Sequence, residues 1–148
     1  MLKFINNLAT IEINKEINAI QLTFRNTDSL NQYSETMGMA MGFAEVHHIS
    51  SYLLIKEQYS DISSTQFYQL VKHWLSALDE RTAGNAGNIK VAMLTSPEAY
   101  DDIARCLQLT PHLPPYAHLS FTCCTDYASA NRFFNTEIVL EEKYIAKI

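Results

Sequence analysis

The chain begins with alternation. Across 9–14 (Ala9-Thr10-Ile11-Glu12-Ile13-Asn14) apolar and polar positions take turns, and 19–24 repeat the pattern with Ile20, Leu22 and Phe24 on one side. A period of two is that of a half-buried strand, and the short polar stretch Lys15-Glu16-Ile17-Asn18 between the runs predicts a β-hairpin with one wet face. The period then lengthens. Leu30, Tyr33, Met37, Ala40, Met41 and Ala44 define one face of a helix over roughly 30–48, opened by a capping-box pair, Ser29 and Gln32. Residues 51–57 are a short apolar run, which predicts a buried strand. Ser63 and Gln66 form a second capping box, and Phe67, Leu70, Val71, Trp74, Leu75 and Leu78 make a broad helical stripe behind it. Ala83-Gly84-Asn85-Ala86-Gly87-Asn88 is the clearest loop.

Ile89 to Thr95 predicts another strand. Ser96-Pro97-Glu98 is a helix start, with a cap residue, a proline in the first turn and an acid near the positive end of the dipole. Tyr100, Ile103, Ala104 and Leu107 supply that helix with an apolar face. Pro111, Pro114 and Pro115 make 110–118 a loop, Leu119 to Cys124 a last short strand, and Asp126 the cap of a helix bearing Tyr127, Ala130, Phe133 and Phe134. The tail, 136–148, suits either strand or helix. The resulting order is β-β-α-β-α-β-α-β-α. Strands alternating with helices predict an α/β domain with a mixed four- to five-stranded sheet, an N-terminal β-hairpin at its edge and helices packed on it. One domain fills 1–148, with a core of about 9–135 and no internal repeat.

Composition narrows the classes of function. The 148 residues are 47% hydrophobic and 18% charged, enough apolar material for a core and too much for a disordered chain. The net charge of −5, with 11 Lys plus Arg, offers no basic stripe for nucleic acid or anionic membranes. The four glycines leave none at phosphate-loop spacing. No secretory leader is visible, since Asn6, Asn7 and Glu12 interrupt the apolar start, and the run Met37 to Val46 is too short to span a bilayer. Three cysteines, of which Cys123 and Cys124 are adjacent and point to opposite faces of a strand, read as reduced thiols in a cytoplasmic protein.

The hairpin Thr10-Ile11-Glu12-Ile13 with Ile20-Gln21-Leu22, the join from Leu54-Ile55-Lys56 through Ile62-Ser63, the stretch Val91-Ala92-Met93-Leu94-Thr95-Ser96-Pro97-Glu98, and the ending Leu119-Ser120-Phe121 with Tyr127-Ala128-Ser129-Ala130 together resemble the SpoIIAA-like (STAS/SEC14-type) fold of small bacterial proteins. The likeness runs from about Thr10 to Phe134 and is one of pattern, not of signature motifs. It implies a four- to five-stranded mixed sheet backed by helices. It also implies a regulatory binding module or a carrier of small hydrophobic ligands. Anti-sigma-factor antagonists of that group carry a phosphorylatable hydroxyl at the start of the helix after a strand, and the counterpart here is Ser63 or Ser64 within Asp61-Ile62-Ser63-Ser64-Thr65. The setting departs from the family pattern: a residue follows Asp61 before the serines, and no glycine comes after them.

In a sheet of this kind the loops after the strands gather at one edge, which ligands favour. Asp28, Asp61, Ser96 and Asp126 are the candidate residues of a strand-end cleft there, and each also suffices as a helix cap. His47 and His48 suit a helix C-terminus, His112 and His118 flank the proline loop, and no spacing among them predicts a metal site. Cys123 or Cys124 near His118 would be the nucleophile of an enzyme, without an elbow motif or oxyanion hole to accompany it. The aromatic residues, with Met37, Met39 and Met41, serve either a core or an apolar ligand. The expectation is therefore a non-catalytic module that binds a protein partner and needs no cofactor. A carrier of a small hydrophobic ligand or lipid comes second, and an enzyme third. Gly38 and Gly42, on one side of the first helix, or an edge strand would let two copies pair as a homodimer.

Overall fold

The computed structural model describes residues 3–25, 32–56, 64–81, 89–96 and 119–135. They form a mixed sheet of six strands, two more than the lower bound of the expected range and one more than the upper. The strands are β1 (Lys3–Ile5), β2 (Ala9–Asn14), β3 (Ala19–Phe24), β4 (Ser51–Lys56), β5 (Ile89–Leu94) and β6 (Leu119–Cys124). The helices among these residues are α1 (Tyr33–His47), α2 (Ser64–Arg81) and α3 (127–135). The strands lie in the sheet in chain order, β1-β2-β3-β4-β5-β6. β1, β2 and β3 pair antiparallel and β3 to β6 pair parallel.

β1 is the strand the periodicity does not predict. Three residues are too few to show a period, and Phe4 has a role only because it pairs with Ile11 and packs against the core. What fixes β1 is the turn after it. Asn6 Oδ1 accepts the backbone N–H groups of Leu8 and Ala9, both at 2.9 Å, an Asx turn that mimics a backbone turn. Asn6 Nδ2 donates to Thr36 Oγ1 at 2.9 Å, and Thr36 Oγ1 donates to the Gln32 carbonyl at 2.7 Å, which ties the turn to the first residues of α1. Arg25, just past β3, donates from its guanidinium to the Asn6 carbonyl and to Thr10 Oγ1. The β2–β3 turn is held the same way: Asn14 Oδ1 accepts from the N–H groups of Glu16 and Ile17, and Asn18 takes the left-handed conformation at φ 52°.

Helix α1 starts at Tyr33, later than the periodicity predicts. Its N-cap is Gln32, which makes no side-chain cap bond; the Gln32 side chain instead accepts the Asn7 N–H at 2.9 Å. The Gln32 half of the expected capping box thus makes a tertiary contact, and the other half, Ser29, lies outside the described residues. The helix ends in a Schellman arrangement. His48 sits at φ 54°, its N–H reaches the Glu45 carbonyl, and the Ile49 N–H reaches the Ala44 carbonyl at 2.9 Å. The predicted helix after Pro97, the loops 83–88 and 110–118 and the tail also fall outside the described residues, apart from the strand and helix ends that border them.

Register divides the side chains between the two faces of the sheet. Ile20, Tyr52, Val91 and Phe121 form one transverse row, and Leu22, Leu54, Met93 and Cys123 the next, both on the side of α1 and α2. α1 covers them with Met37, Ala40 and Ala44, and α2 with Phe67, Tyr68, Leu70, Val71, Trp74, Leu75 and Leu78. Trp74 is fully buried, with its ring 5.3 Å from that of Tyr52 in an edge-on contact, and its Nε1 has no hydrogen-bond partner among the described residues. The opposite face is split. Ala19 at the start of β3 joins Leu53, Ala92 and Cys124 of β4 to β6 in one cluster with Ala130 and Phe134 of α3. Over β2 and the next residues of β3 the face is polar: Asn14 Nδ2 donates to Gln21 Oε1 at 3.1 Å and Gln21 Nε2 to Glu12 Oε1 at 3.4 Å. The wet face predicted for the hairpin is this one.

Candidate functional site

The parallel strands β3, β4, β5 and β6 all end at one edge of the sheet, along the row Thr23, Ile55, Leu94, Cys124. Beyond that row the Thr95 N–H donates to the Cys124 carbonyl at 2.8 Å, so the chain leaves β5 and β6 side by side. This brings two of the four candidate cleft residues, Ser96 and Asp126, to the same edge, both exposed. Asp28 and Asp61 lie outside the described residues, as does Ser63. Ser64 is the first residue of α2. Phe67, one turn on, sits 6.1 Å from the ring of Phe24 at the end of β3, so α2 starts over this same edge.

Asp126 performs the capping role its position predicts. Its Oδ1 accepts the Ser129 N–H at 2.7 Å, and the Ala130 N–H bonds to its carbonyl at 3.3 Å. The Ser129 N–H and then the Ser129 side chain hold the carboxyl below the usual carboxylate range, and Arg132 adds to that. Arg132 in turn donates to Ser129 Oγ at 3.2 Å. The Thr95 hydroxyl is buried at the same edge and has no hydrogen-bond partner among the described residues. Among the described residues the edge thus combines the Asp126 carboxylate, the exposed hydroxyls of Ser96 and Thr125 and the N-termini of two helices.

The cysteines take opposite faces, as adjacency in a strand requires. Cys123 faces the α1 and α2 core and Cys124 the α3 cluster, and both are free thiols. Burial pushes the Cys123 thiol up to about 12, with Cys124 adding to the effect. Burial also raises Cys124, as does Asp126, against a smaller opposing effect of Arg132. Neither is the thiolate that nucleophilic attack requires at neutral pH. His47 ends α1 and His48 is its left-handed cap; His112, His118 and Cys106 lie outside the described residues. Among the described residues no three His, Cys, Asp or Glu side chains gather as a metal site, and no helix is long and apolar enough to cross a membrane.

Two residues matter more than the pattern predicts. Lys90 is buried near the start of β5, one strand in from the β6 edge, and its Nζ donates to the carbonyls of Phe133 at 3.4 Å and Phe134 at 2.6 Å. Its signal was a single charge inside the otherwise apolar run Ile89–Leu94. Arg25 joins the β1–β2 turn to the end of β3, and its N–H also bonds to the Leu8 carbonyl at 2.9 Å. Gly38 and Gly42, the face expected to receive a close neighbour, meet nothing among the described residues within 4 Å of an added Cβ. Comparison with known protein families, curated proteins and solved structures finds no match.

Proposed function

We propose that the protein is a non-catalytic regulatory module of the SpoIIAA-like type, which binds a protein partner at the strand-end edge and is switched by a phosphorylatable hydroxyl at Ser63 or Ser64. The observation that carries this reading is the start of α2 at that edge. The helix begins at Ser64, and Phe67 in its first turn packs on Phe24 at the end of β3. A phosphate at a helix N-terminus meets free N–H groups and the positive end of the dipole, so charge added there is accommodated and changes the surface a partner meets. Two features add support. Ser96 and Asp126 stand exposed at the same edge, and the protonated state of the buried thiols argues against the nearest catalytic alternative.

The test is partner capture with wild type, Ser63→Asp and Ser64→Asp, combined with mass spectrometry of protein incubated with cellular kinases. The expected result is phosphate on one of these serines, and a partner whose affinity changes at least tenfold in the matching aspartate variant. Absence of phosphate at both positions, or a partner indifferent to both variants, removes the switch.

A further inference from the structure

We draw no further inference here: the strongest candidate, the outward side of α1 that carries Gly38, Gly42 and the exposed Val46, is a stripe of small residues on a helix face, and nothing among the described residues shows what covers it.

Discussion

The two faces of the sheet are held by different physics. Under α1 and α2 the contact is wide and apolar, with Trp74, Phe24, Leu22, Leu54 and Met93 fully buried in one cluster. Under α3 the cluster among the described residues is smaller, and beside it a buried lysine bonds two carbonyls of the helix end. Apolar burial is non-directional and grows with area, so the first face tolerates small shifts and resists opening. A buried ammonium is directional and gains from any route back to water, so the second face is anchored at a point.

The largest test of that contrast is Trp74→Ala, which is expected to destabilise the protein by about 3–5 kcal/mol through lost burial and a cavity. Urea unfolding followed by circular dichroism measures it. Phe134→Ala, an aromatic truncation on the other face, is expected to lower global stability by less than half as much, because Phe134 keeps part of its ring exposed and sits in the smaller cluster of the described residues. Equal losses would mean that the faces are one cooperative unit.

pH separates the faces further. Burial raises Tyr52 from 10.0 to about 12, and it likewise holds Cys123 at about 12. Both groups are neutral when protonated, so the folded state keeps its protons longer than the unfolded one. Their stabilisation is complete below the unfolded values and is lost as pH rises through about 12. Thermal unfolding between pH 9 and 12 is expected to show falling stability, on the order of 2 kcal/mol from Tyr52. Tyr52→Phe should flatten part of the slope. Next in size, Gly42→Ala is expected to stabilise α1 by up to about 1 kcal/mol, since an added methyl meets nothing and helix propensity improves. The smallest effect belongs to the α3 face. Asp126 is held below its usual range, so its capping contribution is present at neutral pH and is lost as pH falls through its depressed value. Helical signal from α3 is expected to weaken in acid before the core melts, and Asp126→Ala to abolish that acid dependence.

Much of this was legible along the chain. The hairpin at 9–14 and 19–24 stands where alternation puts it, because one buried face imposes a period of two. The stripe from Phe67 to Leu78 marks α2, because its partner is a continuous apolar sheet. β1 was not legible: its evidence is a register with β2 and an Asx turn at Asn6, both of which exist only once the chain is folded. Gln32 was read as half of a capping box whose other half, Ser29, lies outside the described residues. Gln32 has a better acceptor role in the Asn7 N–H, a contact twenty-five residues away in sequence. Of the strand-end residues, Asp126 was readable because a cap acts within its own turn. Lys90 was visible as a lone charge in an apolar strand, but its partners lie more than forty residues further on.

The order β1-β2-β3-β4-β5-β6 has a consequence for synthesis. As the chain is made from its N-terminus, each new strand finds its sheet neighbour already present, and none has to wait for a later strand to be inserted beside it. The growing edge is always the last strand made, so the sheet can extend by accretion at the pace of translation. The antiparallel hairpin, whose pairing is the most local, comes first and serves as the template. β6 is placed late, and α3, which follows it, is the element left to close the second face.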